Sequence, residues 1–311
     1  MKRLLLVFAA LASAGGAVHA EDQPYRKEAP VYTPLSPLDS WTGFYAGLNA
    51  GYGFGTSPGT LTSGASTFDW ASGALGMPFG FSSSYVAGNS NVNQNGFIGG
   101  GQIGYNYNVG SSFVVGVEAD MQGASISGSG DHTGLAGATD AHDVTHLQAG
   151  FVDVQAGINW VGTVRGRLGY LVAPDLLAYA TGGFAYGGTF ANVSTNGFHW
   201  HPGEELDAHP PNEVTPSYGQ FNGTLMGYTV GGGLEWLFMP DWSLKAEALY
   251  YNLGDHSVWT NNSFVINLSA PGSIAIANVS ETRVKFDGVI ARIGVNYYFN
   301  LGPATPAIAS F

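Results

Sequence analysis

From residue 289 to residue 299 the chain alternates: Val289, Ala291, Ile293, Val295, Tyr297 and Phe299 interleave with Ile290, Arg292, Gly294, Asn296 and Tyr298. A period of two sustained over about ten residues is the pattern of a strand that crosses a membrane, with one face toward lipid and the other toward a polar or small-residue interior. Seven further segments repeat it, at about 41–54, 96–107, 113–126, 158–172, 176–190, 223–238 and 242–258. Their candidate outward faces run through Phe44, Leu48 and Ala50; Val115 and Val117; Val164, Leu168 and Tyr170; Tyr228, Val230, Leu234 and Trp236; and Trp242, Leu244 and Tyr250. Eight such segments in series predict an all-β protein, an eight-stranded antiparallel up-and-down transmembrane β-barrel.

The spacing between segments supports the same architecture. Three connections are short, at about 108–112, at Ala173-Pro174-Asp175 and at Met239-Pro240-Asp241. The other four, at about 55–95, 127–157, 191–222 and 259–285, are far longer, and short and long alternate. Outer-membrane barrels have this arrangement, with short periplasmic turns and long external loops. Tyr107, Phe113, Tyr170, Tyr179, Phe238 and Trp242 flank the short turns, where an aromatic girdle meets the membrane interface. The last long connection holds two short apolar runs, Phe264–Leu268 and Ile274–Ala277, which read as a projecting hairpin. A fifth spanning pair would need about 9–11 residues per strand.

Composition narrows the classes. Only 10% of the 311 residues are charged, 47 are glycine and none is cysteine. A disulfide scaffold and a cysteine-ligated metal are excluded. The formal charge of −12 argues against a nucleic-acid partner, because phosphate binding needs a basic face. Residues 1–20 read as a secretory signal: Lys2 and Arg3, an apolar run from Leu4 to Ala12, and Val18-His19-Ala20 before the cut. That apolar run is too short to span a bilayer as a helix. Residues 21–40, with Pro24, Pro30, Pro34 and Pro37, read as a periplasmic leader; 41–299 is the barrel and 300–311 a tail. Location in the bacterial outer membrane follows, with loops outside and the turns and both termini in the periplasm.

If the outward register holds, Glu118, Asp120, Arg165, Arg167, Glu235, Lys245, Glu247 and Arg292 all point into the lumen. Four acids meet four bases, the neutrality a low-dielectric interior demands. The turn at Pro240 sets Glu235 opposite Lys245, an expected cross-strand pair. An eight-stranded barrel is just wide enough to be filled by side chains. Its glycines, as in Gly99-Gly100-Gly101 and Gly231-Gly232-Gly233, leave room for long residues opposite. The lumen is therefore either a packed ionic plug or a narrow hydrated path.

Trp41-Thr42-Gly43-Phe44-Tyr45-Ala46-Gly47-Leu48-Asn49-Ala50-Gly51-Tyr52-Gly53 resembles the first strand of the small outer-membrane β-barrel proteins of Gram-negative bacteria. The resemblance is closest to the outer-membrane immunogenic proteins, a branch that includes haemin-binding members. Lys245–Gly254 is similar to that family's penultimate strand, and Gly288–Phe299 to its closing strand and assembly signal, with Gly294, Tyr297 and Phe299 as the signal residues. The resemblance implies a monomeric, porin-like barrel inserted by the outer-membrane assembly machinery and surrounded by outer-membrane lipid and lipopolysaccharide. Relatives stop at the aromatic residue that Phe299 matches, whereas this chain continues to Phe311.

Six of the eight histidines fall in two of the long connections. His132, His142 and His146 lie in one; His199, His201 and His209 lie in the other. His142-x-x-x-His146 has helical metal spacing and His199-x-His201 has strand spacing, so zinc, copper or haem iron are candidate ligands, against polar loop filler. Asp255-His256-Ser257 does not form a nucleophile–base pair, because neighbours on a strand face opposite ways. The expectation is a non-enzymatic, envelope-structural and surface-displayed barrel without a cofactor. Capture of haemin or a transition metal and a narrow small-solute pore are the alternatives.

Overall fold

The computed structural model describes residues 41–72, 78–83, 85–139, 145–200, 215–267 and 272–299. The signal, the leader and the tail lie outside these residues. The elements are β1 (Gly43–Gly55), β2 (Gly59–Ser72), β3 (Pro78–Ser83), β4 (Gly88–Asn91), β5 (Asn95–Val109), β6 (Phe113–Thr139), β7 (Thr145–Ala173), β8 (Leu176–Trp200), β9 (Thr215–Met239), β10 (Trp242–Asn267) and β11 (Gly272–Phe299). Eight of them close a ring in the order β1-β5-β6-β7-β8-β9-β10-β11, and β11 returns to β1 antiparallel, with Phe44 opposite Phe299 and Gly55 opposite Gly288.

The outside of one half of the ring is apolar. Leu48, Phe97, Ile103, Val117, Val164, Leu168, Met226 and Ile293 all stand more than half exposed. Such a continuous surface is untenable in water and is what lipid solvates. Aromatic residues bound this band. Near the short turns, Phe44 packs on Tyr105, Phe113 on Tyr170 and Trp242 on Tyr297. A second ring holds Tyr52 against Phe97, Trp160 against Tyr186, and Tyr228 against Tyr250. On β7 the two girdles are ten positions apart, Tyr170 to Trp160, the length of one spanning strand.

Beyond the second girdle most described residues of the long connections are strand rather than loop. β6 to β11 run on as strands, so that β7 alone has 29 residues, and about 15 of them extend roughly 50 Å past Trp160 at ~3.3 Å per residue. The alternation continues there, with Val152, Val154, Ala156 and Ile158 all buried. It was obscured because the register shifts at the girdle itself, between Gly123 and Ile126, Ile158 and Trp160, and Asn252 and Asp255. Gly254 takes a left-handed φ of 90° in the last of these, and its N–H donates to Asn252 Oδ1 at 2.8 Å. The inward parity on β10 switches there, from Leu253 to Val258. The expected hairpin is present as the end of β10 and β11, with Phe264 opposite Ile276 and Ile266 opposite Ile274.

β1 and β5 stop near the second girdle while β6 and β11 do not, which leaves a gap in the extended wall. The connection between β1 and β5 fills it. β2 pairs with the free edge of β11, from Leu61 opposite Arg283 to Ser72 opposite Gly272, and carries β3 and β4.

Candidate functional site

The lumen is built in three layers. Nearest the short turns, Trp41, Tyr45, Val114, Leu171, Leu177, Tyr179 and Tyr298 form a buried apolar base. Trp41 Nε1 donates to the carbonyl of Pro174 at 3.0 Å, which ties the start of the barrel across its mouth. At the far end of the membrane band a second cluster fills the interior with Ile98, Ile126, Ile158, Val161, Leu253, Phe286 and Ile290.

Between them lies the charge. All eight expected residues point inward, and each is 5% exposed or less. Glu118 is the hub: Arg165 pairs with it, Arg167 stands 3.6 Å away, Lys245 Nζ donates at 3.0 Å, and Tyr45 OH donates at 2.6 Å. Arg165 also reaches Asp120 and Glu247 at 3.0 Å each. Arg292 Nε donates to Glu247 at 2.7 Å and Nη2 to Asp120 at 2.9 Å. Arg167 binds Glu235 at 2.6 Å and lies over the Tyr179 ring, with Cζ 3.9 Å from its centroid. Four carboxylates and four cations are thus joined in one buried network, the arrangement in which buried charges are tolerated.

The expected Glu235–Lys245 pair needs correction. Their Cα positions are opposite in the register. The Lys245 ammonium goes across the lumen to Glu118, however, and Glu235 is satisfied by Arg167, Ser243, Asn296 and Tyr298. A cross-strand neighbour competes here with acceptors from the opposite wall, which a two-strand argument omits. Tyr179, expected in the aromatic girdle, instead turns inward and donates to Glu247 at 2.9 Å, and Tyr45, Tyr298, Asn49, Gln102 and Asn296 are further partners that the charge pattern does not name. Their signal was present: each sits on the inward parity of its segment. Room for Tyr45 comes from Gly104 opposite, where any Cβ would occupy the phenol ring.

Of the six candidate histidines, His132 alone has a described side chain. His132 lies on β6 and faces inward, not into a loop. Its Nε2 lies 3.0 Å from the carbonyl of Val86, an acceptor only, so Nε2 carries the proton and Nδ1 accepts from Ser90 Oγ at 2.7 Å. With both nitrogens engaged, His132 latches the segment before β5 to the wall rather than offering a metal ligand. Beside it, the ring of Tyr85 fills space left by Gly150 and Gly197. His146 belongs to strand β7, opposite Ala138. His199 stands opposite Gln148. The side chains of His146 and His199, and the whole of His142, His201 and His209, lie outside the described residues. His256 stacks on Phe221 inside the barrel, 3.6 Å between centroids. On the outer face Arg283 Nε donates to Asp255 at 2.6 Å, and that hydrogen bond holds the Asp255 carboxyl below its ordinary range.

A 31 kDa outer-membrane immunogenic protein of Brucella melitensis biotype 1 is 31% identical over 303 residues, covering 96% of this chain and all of the relative. The chain belongs to the outer-membrane immunogenic protein family. The corresponding protein of Brucella suis biovar 1 matches to the same extent. Family membership places this immunogenic-protein barrel in the outer membrane, and the resemblance carried by the first and last strands holds along the whole chain. No family model matches. The solved structures this chain is similar to are distant: OprG of Pseudomonas aeruginosa, at 12% identity, covers 83% of this chain and 96% of its own with a TM-score of 0.33. Ail of Yersinia pestis, also at 12%, covers 81% and 99% with a TM-score of 0.25. Gly294, Tyr297 and Phe299, the expected assembly-signal residues of this family, lie on β11 where it closes the ring against β1.

Proposed function

We propose that the protein is a non-catalytic wall element of the outer membrane, whose sealed barrel stabilises the envelope and carries a tall strand extension to the outside of the cell. The short turns would face the periplasm and the extension the exterior, as in barrels of this shape. The observation that carries the reading is the filled lumen. A solute path would have to cross the apolar base, the ion network and the second apolar cluster, and each is held by contacts from several strands. A general acid–base or nucleophilic site needs reactive groups held at an accessible surface; the four lumen carboxylates are instead consumed by arginine and lysine. The surrounding partners would be outer-membrane lipid and lipopolysaccharide, with insertion by the outer-membrane assembly machinery.

Capture by the histidine-bearing tips is the reading to separate from this one. Calorimetric titration of the detergent-folded protein with haemin, zinc and copper does so. A display protein gives no saturable heat. Saturable binding that disappears in the variant combining His142→Ala, His146→Ala, His199→Ala and His201→Ala would replace display with capture.

A further inference from the structure

The outer wall of the extension is chemically divided. One side, on β10 and β11, carries Arg283 and Lys285 beside Asp255 and Trp259. The other, on β6 to β9, has no cation: the sequence holds no Lys or Arg between Lys27 and Arg165, or between Arg167 and Lys245. What it has instead are two polar rows that cross four strands in register. Ser129, Gln155, Asn192 and Gln220 form one row; Asp131, Asp153, Ser194 and Tyr218 form the next.

These rows shape a groove of about 400 Å³, lined by Asp153, Gln155, Asn192, Ser194, Tyr218 and Gln220. Tyr218 stands 72% exposed at its edge. Among the described residues, none of these six side chains enters a hydrogen bond, an ion pair or a ring contact. A polar surface laid on a rigid ladder and left unengaged is preorganised, so a ligand would pay little to order it.

The chemistry selects the ligand. Each amide offers a donor and an acceptor together, and a carboxylate and a hydroxyl add acceptors, which matches vicinal sugar hydroxyls. An exposed phenol ring offers a flat apolar platform for the C–H face of a pyranose. Phosphate is disfavoured, because two carboxylates and no cation surround the groove. A protein partner would need roughly 800 Å² of its surface with an apolar centre, and the groove is small and polar. Its position fits as well. The Tyr218 row lies roughly 20 Å along the strands beyond the girdle row at Trp160, at ~3.3 Å per residue. Given the orientation proposed above, on which this step rests, that is the level of the sugars of the outer leaflet.

We propose that the β6–β9 face of the extension is a saccharide-binding surface for a neutral oligosaccharide portion of the surrounding outer leaflet. Tyr218 is its stacking platform, and Gln155, Asn192 and Gln220 read the hydroxyls.

The test uses the full chain folded in detergent and the core oligosaccharide of lipopolysaccharide, released by mild acid and dephosphorylated. Saturation-transfer NMR should show transfer from protein to sugar, and titration should saturate. Tyr218→Ala should weaken binding at least about tenfold, roughly 1.4 kcal/mol, and Asn192→Ala with Gln220→Ala should do the same. Arg283→Ala on the opposite face should leave it unchanged. No transfer, undiminished binding in a Tyr218→Ala protein that still migrates as a folded barrel, or binding of the phosphorylated oligosaccharide alone would each overturn the proposal. Orientation is read separately: a Ser194→Cys variant, in a chain with no other cysteine, should react with an impermeant maleimide on whole cells. Protection there while detergent binding stands would reject the orientation and leave the saccharide surface in place.

Discussion

Glu118 shows how much depends on single side chains in this barrel. It is buried with three arginines, a lysine and a tyrosine hydroxyl directed at it. Removing one partner from a buried ionic network is far more costly than replacing the network, because the remaining charges stay desolvated and unmatched. Glu118→Gln should therefore lower stability by about 3–5 kcal/mol, read as a shift of the urea midpoint in tryptophan fluorescence. Adding Lys245→Met should restore part of the loss. If the double variant is as unstable as the sum of the singles, the two residues do not act through each other. Gly104 makes a steric prediction of the same kind. Gly104→Val places atoms where the Tyr45 ring lies, so the heat-modifiable folded form should be reduced, whereas Gly110→Ala, in the short turn, should be tolerated far better despite its positive φ.

At the scale of elements, the eight ring strands and the sign and direction of every lumen charge were legible, because membrane strands must alternate and a lipid band excludes charge. The extension was not. Register shifts at Asn159 and Gly254 break the period of two where the membrane band ends, so Val152, Val154 and Val284 read as loop although they line a core. Nor could alternation show that the β1–β5 connection packs into the gap in the wall, since that contact is set by Tyr85 and His132 across 40 or so residues of chain. The latch is testable. His132→Ala removes two hydrogen bonds, about 1–3 kcal/mol if the partners stay unsatisfied. Amide exchange at Val86 to Ser90 should accelerate, while exchange on the membrane half of β7 stays unchanged. The outer-face pair gives a pH prediction. Asp255 has a folded pKa below its unfolded value near ~3.9, so its tie to Arg283 is fully present above that value and is lost as pH falls through the lower one. Local exchange at β10 should rise in that window, and Asp255→Asn should remove the pH dependence.

For the whole molecule, the chain's low charge content follows from two different solvents on its two faces. Lipid excludes charge from the outer band, and the interior admits only as many charges as it can pair, four against four. The acidic excess is left to the leader, the turns and the extension. Identity of 31% across 96% of the chain places this barrel in the immunogenic-protein family. On the function proposed above, a sealed membrane half below a tall extension suits the barrel to carrying surface rather than passing solutes. Single-channel recording in a planar bilayer tests that claim most directly, on protein whose boiled and unboiled forms migrate differently on a gel. The filled lumen predicts a silent bilayer at both polarities. Reproducible conductance steps from the wild-type protein, at the frequency expected for its insertion, would show a continuous water path and contradict the sealed barrel.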